Sequence, residues 1–207
     1  KLSKPDIIIH LAAQPLVGYS YEHPVDTFNT NVTGTLNILD CIKKFRSIKS
    51  SIIITTDKVY KIKGYKSYIE EDELGGHDPY SSSKVCSEIV VNSYIKSFCN
   101  KNTNLKYVST ARSGNVIGGG DYSKDRLVPD IFRAIENKKK LIIRNPNSIR
   151  PWQHVIEPSV GYLLLAQKNY QKKINALSSS WNFGPSYKNF KSVMYVVNKI
   201  KKYYKLK

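Results

Sequence analysis

Three short runs rich in isoleucine, valine and small residues punctuate the first half of the chain, and a long helical stretch follows each of the first two. Asp6-Ile7-Ile8-Ile9-His10-Leu11-Ala12-Ala13 and Ser51-Ile52-Ile53-Ile54-Thr55 are almost unbroken apolar runs, and Lys106–Arg112 is a third strand-like segment. Unbroken rather than alternating runs suit strands buried on both faces of a parallel sheet. Pro24 opens a helical segment reaching about Phe45, with apolar residues at Val25, Phe28, Val32, Leu36, Leu39 and Ile42; this 3–4 spacing marks one buried face, and proline is favoured at a first helical turn. Pro79 opens a second helix, to about Phe98. The remainder reads as a helix over Leu127–Asn137, a short strand over Leu141–Arg144, a helix near Pro158–Gln167 and a last helix from about Phe190. Strands alternating with helices predict an α/β fold with a doubly wound parallel sheet. Ligands of such sheets sit outside the carboxyl ends of the strands. The loops 12–21, 55–60 and 113–126 are therefore the candidate site material.

The chain has 207 residues, 41% hydrophobic and 24% charged, enough for one globular domain with a core. This composition excludes a disordered tail, a collagen-like repeat and a disulfide scaffold. No stretch reaches the ~18–20 apolar residues of a membrane helix, and no apolar signal region opens the chain. Cys41, Cys86 and Cys99 are scattered, without metal spacing. They read as small buried hydrophobes in a reducing compartment. The formal charge of +17 raises the question of nucleic acid. Lysines account for 27 of the 33 basic residues and are spread along the chain with no nucleic-acid-binding motif. A solvated lysine-rich surface is the expectation, and a phosphate-bearing small substrate would also profit from the field.

Tyr80 and Lys84 stand at i and i+4 on the second long helix, so they share a face. An ammonium beside a phenol lowers the phenol pKa from about 10 and makes tyrosine a usable base. The bare pattern has little weight, because chance supplies roughly two such pairs in a chain this rich in Tyr and Lys. Four occur: Tyr80/Lys84, Tyr187/Lys191, Tyr195/Lys199 and Tyr203/Lys207. The last three read as basic surface. Tyr80 differs by its setting, 24 residues after Thr56-Asp57-Lys58 at the carboxyl end of a buried strand. No GxGxxG or GxxGxxG occurs anywhere, and Gly118–Gly120 do not match that spacing.

Asp78-Pro79-Tyr80-Ser81-Ser82-Ser83-Lys84 after Thr56 resembles the catalytic Thr/Ser, Tyr and Lys of the extended short-chain dehydrogenase/reductase superfamily. Four further phrases follow the superfamily's order: His10–Gln14, Asn31–Thr35, Arg112–Gly118 and Arg150–Val155. Within it, the chain resembles the nucleotide-sugar 4,6-dehydratases. Asp57-Lys58 is similar to the pair in the CDP-glucose group, where the dTDP-glucose and GDP-mannose dehydratases carry Asp-Glu and epimerases have no such pair. The resemblance implies a Rossmann-like NAD-binding sheet lacking its first strands, with the Gly-rich pyrophosphate loop upstream of this chain. It implies a partial cofactor and catalytic domain over 1–145, and over 146–207 part of a small substrate-binding region interleaved with the last sheet elements. The isolated 207-residue chain is then expected to be poorly soluble or partly unfolded, to bind NAD weakly if at all, and to lack dehydratase activity.

By the same resemblance, Thr56, Asp57, Lys58, Tyr80 and Lys84 are catalytic. Leu11, Ala12, Ala13, Asn31, Thr55, Tyr80, Lys84 and Arg112 would face NAD. Gln14, Asn115, Arg126, Arg150 and His154 would face the nucleotide sugar. Lys58 as a neutral base would need desolvation and nearby cations. The resemblance also implies a homodimer through helices 24–45 and 79–98, a cytoplasmic location and a place in lipopolysaccharide biosynthesis, with no metal, nucleic acid or membrane. Plainer roles stand beside these. Thr56 and Asp57 can cap a turn. His10 reads as a packed core histidine, and His154 as structural or site-lining alike. His23 and His77 read as loop surface, and the Asn31-Val32-Thr33 glycosylation triplet as coincidence. Arg150 beside Trp152 is either a surface stack or a diphosphate clamp. Two other classes remain open: an epimerase or reductase of the same fold, or an inactive remnant serving as a binding module.

Overall fold

The computed structural model describes residues 3–64, 67–98, 107–171 and 180–204. Four strands, β1 (Ile7–His10), β2 (Ser50–Ile54), β3 (Val108–Ser113) and the later β7 (Ser180–Phe183), form one sheet in the order β1-β2-β3-β7. All three pairings are parallel, with Ile9 opposite Ile52, Ile54 opposite Ala111, and Arg112 opposite Asn182. The α/β fold with a parallel sheet is thus as expected from the three apolar runs. After β1 come α1 (Val17–Glu22), α2 (Pro24–Phe28), a π turn at Asn29–Thr33 and α3 (Gly34–Lys44). After β2 come a 3₁₀ turn at Asp57–Val59 and the 20-residue α4 (Pro79–Phe98). β4 (Val116–Ile117), α5 (Leu127–Glu136), β5 (Ile149–Arg150), β6 (Gln153–His154) and α6 (Ile156–Tyr170) precede β7, and β8 (Lys191–Ser192) and α7 (Val193–Tyr203) follow it.

Successive side chains of a strand point to opposite faces, and β2 uses both. Ile53 packs with Leu39 and Ile42 of α3, Val91 and Ile95 of α4, Ile48 and Val108. Ile52 packs on the other face with Ala111 and with Tyr162, Leu165 and Ala166 of α6. Each fully buried Ile or Leu contributes about 1.5–3 kcal/mol, so β2 is the structural centre. β1 is an edge among the described residues: its one partner is β2, and Ile7 is 42% exposed.

Two compact units arise from this chain. Lys1–Ser113 with Ser159–Phe183 forms the first, and Gly114–Pro158 with Gly184–Lys207 the second. The first segment of the first unit ends at Ser113, where the chain leaves β3. In the second unit β4 pairs parallel with β6, and β5 pairs antiparallel with β8. Phe132 of α5 meets Tyr204 edge to face.

Several local expectations are corrected. The segment 24–45 is not one α-helix, because the π turn interrupts it. Residues 12–21, expected as a loop, contain most of α1. Leu141–Arg144 forms no strand: it pairs with no strand among the described residues, and Ile142 is largely exposed. The last helix starts at Val193, capped by the Ser192 hydroxyl, which accepts the Tyr195 N–H at 3.1 Å. Cys41 is exposed and Cys86 half-buried rather than core residues. Cys99 and Lys207 lie outside the described residues, as do Lys106 and the other positions between 99 and 106.

Candidate active site

β2 ends at Ile54 and the chain turns over Thr55-Thr56-Asp57-Lys58. Thr56 caps the 3₁₀ turn: its hydroxyl oxygen accepts the Lys58 N–H at 3.4 Å and its hydroxyl donates to Asp57 Oδ1 at 3.2 Å. The capping role and the catalytic role open to Thr56 are therefore compatible. Lys58 Nζ lies over the Tyr80 ring, 5.8 Å from its centroid. The turn after β2 and the first turn of α4 thus meet, bringing Thr56, Asp57, Lys58 and Tyr80 into one region. Lys58 is exposed, so the desolvation expected of it is absent from the chain by itself.

Lys84 is one helical turn beyond Tyr80 and buried, with its Nζ donating to the Ile54 carbonyl at 3.1 Å. Burial pushes its pKa down to about 8, against the negative charge of Glu88, which raises it. Its charge also reaches His10 at the end of β1, whose pKa is lowered by burial first and by Lys84 second. The core reading of His10 is only half met, since it is half-buried.

Asn31 is buried in the π turn and ties three segments together. Its Oδ1 accepts the Gln14 N–H at 2.8 Å, and its Nδ2 donates to the Gln14 carbonyl at 3.1 Å and to Ser83 Oγ at 2.8 Å. A π turn shifts the backbone ladder and frees a carbonyl; that of Asn31 accepts from the Thr35 and Ser87 hydroxyls. Gln14, expected to face substrate, is buried, with Nε2 donating to Thr27 and Oε1 accepting from Leu16 N–H. Its amide is engaged inside the protein and anchors the loop after β1. That loop carries exposed Leu11 and Ala12 and half-buried Ala13, a shelf of small apolar side chains at the carboxyl end of β1.

Thr55 and Arg112, expected to face cofactor, are buried in an internal network. Arg112 forms a bidentate pair with Glu88, Nε to Oε1 and Nη2 to Oε2, both at 2.9 Å. Its Nη1 donates to Tyr60 Oη and the Glu70 carbonyl, and Nη2 also donates to Ser180 Oγ. All five guanidinium donors are thereby engaged, leaving none for a ligand. Thr55, Thr110 and Ser180 hydroxyls complete the set of donors on the Glu88 carboxylate. Tyr60 Oη donates to Asn182 Oδ1 at 2.6 Å. Glu88, Tyr60, Ser180 and Asn182 escaped the sequence reading. The one available signal was the i, i+4, i+8 spacing of Tyr80, Lys84 and Glu88 on α4.

Asn115, Arg126, Arg150 and His154 belong to the second unit. The Asn115 carbonyl accepts the Gln153 N–H at 3.0 Å, and His154 Nδ1 accepts from Ile156 N–H. Arg126 Nε lies 3.8 Å from Asp121. Arg150 is exposed on β5, and the Trp152 indole donates to the Lys191 carbonyl. Among the described residues no cluster of His, Cys, Asp or Glu has the arrangement of a metal site, and no helix is long and apolar enough to cross a membrane.

The sequence model of the family described as GDP-mannose 4,6 dehydratase matches residues 1–205. The CDP-glucose 4,6-dehydratase of Salmonella typhimurium is 47% identical over 201 residues, covering 95% of this chain and 56% of that protein. The chain therefore spans about half the length of this curated relative. Among solved structures, dTDP-glucose 4,6-dehydratase from Bacillus anthracis, in complex with NAD, matches with a TM-score of 0.79 at 24% identity, covering 98% of this chain and 58% of that one. UDP-glucuronic acid 4-epimerase from Bacillus cereus, in complex with UDP-glucuronic acid and NAD, matches with a TM-score of 0.81 at 21% identity, covering 97% and 60%. These two likenesses establish the fold, which dehydratases and epimerases share.

Proposed function

The chain belongs to the GDP-mannose 4,6 dehydratase family, and from that premise we propose that it carries the catalytic residues of an NAD-dependent nucleotide-sugar 4,6-dehydratase acting on CDP-glucose. The observation that carries this reading is the Asp57-Lys58 pair beside Tyr80 at the carboxyl end of β2. A triad alone suffices for oxidation and reduction at C4. An additional acid and base are needed to expel the 6-hydroxyl. The 47% identical relative supports the same substrate.

Tyr80, polarised by Lys84, takes the proton of the hexose 4-hydroxyl, and Thr56 hydrogen-bonds that oxygen. Bound NAD supplies reversible hydride transfer. The apolar shelf of Leu11, Ala12 and Ala13 suits the nicotinamide side, and Asn31 holds that shelf in place through Gln14. Once C4 is a ketone, the C5 proton is acidified and Lys58 removes it. Asp57, protonated, gives its proton to the departing 6-hydroxyl. Loss of water leaves a C5–C6 double bond; return of the C4 hydride to C6 and of a proton from Lys58 to C5 would give a CDP-linked 4-keto-6-deoxyglucose. Residues 1–145 are assigned to cofactor and catalysis and 146–207 to substrate, with Asn115, Arg126, Arg150 and His154 on the nucleotide sugar. The reading extends to a cytoplasmic homodimer through 24–45 and 79–98 that supplies lipopolysaccharide biosynthesis.

The test uses protein expressed from its whole reading frame with NAD and CDP-glucose. A dehydratase gives the alkali absorbance of a 4-keto sugar, whereas an epimerase gives none. Lys58→Met should retain C4 oxidation yet lose both product and solvent-deuterium exchange at C5. Normal C5 exchange in that variant would remove Lys58 from the role of base.

A further inference from the structure

Glu88 stands out among the buried groups that the chemistry leaves unused. A buried carboxylate demands several donors, and five converge here from three strands or strand ends: Thr55 after β2, Thr110 and both Arg112 nitrogens on β3, and Ser180 on β7. Such a group costs desolvation free energy, and a buried ion pair is weak evidence of stabilisation. Its position suggests another use. Tyr80, Lys84 and Glu88 follow one another at four-residue steps along one face of α4. Lys84 holds the Ile54 carbonyl, and Glu88 holds the hydroxyl of the next residue, Thr55. Consecutive turns of the helix are thus fastened to consecutive residues of the strand end, and the next residue after these is Thr56.

We propose that the Thr55–Glu88 contact, braced by Arg112, is a positioning device that sets the register of α4 against the end of β2 and so keeps Lys84 buried at the Ile54 carbonyl. Glu88 is a positioning residue: it acts through Lys84. A slip of α4 would move Tyr80 and Lys84 together relative to Thr56. The charged and titratable groups around this point are His10 at the end of β1, Lys58 in the turn after β2, Tyr80 and Glu88 on α4, and Arg112 with its partner Tyr60. The lowered pKa of Lys84 is what a tightly held, desolvated ammonium should show.

The proposal rests on the dehydratase reading only in calling Tyr80 and Lys84 catalytic. Its test therefore needs no NAD and no sugar. Lysines labelled at the ε-carbon are titrated by NMR, with the Lys84 signal identified by its loss in Lys84→Met. Thr55→Val removes the hydroxyl at nearly constant shape, and Thr55→Ser keeps it. The Lys84 midpoint should rise by at least half a pH unit in Thr55→Val, as the loosened strand end lets water reach the ammonium, and should stay at the wild-type value in Thr55→Ser. A purely structural role would lower the melting temperature and leave the midpoint fixed. An unmoved midpoint in folded Thr55→Val overturns the proposal, as does an equal shift in both variants. If Thr55→Val does not fold, Thr55→Ala removes the same hydroxyl and leaves in place the Glu88 charge, which itself raises the Lys84 pKa. The Lys84 midpoint in that variant should rise likewise, and an unchanged value is the overturning result. Absence of dehydratase activity in the wild-type protein expressed from its whole reading frame, with the Lys84 shift intact, would count against the dehydratase reading alone.

Discussion

Lys84 is a cation that α4 carries into the interior, where its Nζ has the Ile54 carbonyl at 3.1 Å and burial depresses its pKa to about 8. In the unfolded chain the same group titrates at about 10.4. Between these two values the unfolded state binds more protons than the folded one, so this residue's contribution to stability rises with pH. That contribution is complete above the unfolded pKa and is lost as pH falls through the folded one. Replacement by methionine removes the dependence. Lys84→Met should match or exceed the wild type in melting temperature at pH 7, with its advantage shrinking by pH 10. It should also lower turnover by at least about 100-fold, the usual span for loss of a group that tunes an acid or base. Thermal scans at the two pH values check the first part, and an advantage that grows with pH would contradict it. A residue that the proposed chemistry uses is thus one that costs stability at neutral pH.

Elements and their joints depend on fewer residues than the sequence patterns suggest. The π turn turns Asn31 into a clamp between the loop after β1 and α4. Asn31→Ala removes three side-chain hydrogen bonds and strands a buried Gln14 N–H, so a loss of about 2–4 kcal/mol is expected in urea unfolding. A loss below about 0.5 kcal/mol would show that the clamp is redundant. On the other face, a Cβ on Gly161 of α6 would collide with the Phe183 ring of β7. Gly161→Ala should therefore destabilise by about 1–3 kcal/mol through overpacking, despite the helix propensity of alanine, and a stabilised variant would show that Phe183 moves freely. These joints also mark where the sequence stopped being legible. β1, β2 and β3 were readable because their apolar runs are continuous. β7, Ser-Trp-Asn-Phe, was not, because Ser180 and Asn182 serve the polar network of Arg112 rather than an apolar core. Leu141–Arg144 had strand composition and no strand to pair with among the described residues. The π turn hid inside a 3–4 periodicity that one extra residue shifts. Thr56, Asp57, Lys58, Tyr80 and Lys84 were legible as an ordered motif, whereas Glu88 was not, since a lone glutamate on a helix ordinarily reads as solvated.

At the scale of the whole molecule, a charge of +17 surrounds a sheet whose β1 edge is open among the described residues. Ile7 is 42% and Leu11 58% exposed. An uncovered edge of apolar strand presents unpaired N–H and C=O groups to any second copy. Net charge opposes that encounter, because like-charged molecules repel at distances within the Debye length. Salt removes the opposition: the screening length falls from about 10 Å at 0.1 M to about 3 Å at 1 M ionic strength. The two tendencies predict self-association that grows with salt, the reverse of what an assembly held by ion pairs would do. Ile7→Lys puts a charge on the edge itself, a common natural device against edge pairing, and should suppress the salt-driven species. A dimer formed through the helices 24–45 and 79–98 uses a different surface and should persist in the Ile7→Lys variant. Sedimentation velocity of both proteins at ~0.1 M and ~1 M sodium chloride separates the cases. Larger species in high salt that vanish in Ile7→Lys assign the association to β1. Species that fall with salt, or that ignore the substitution, would place it elsewhere.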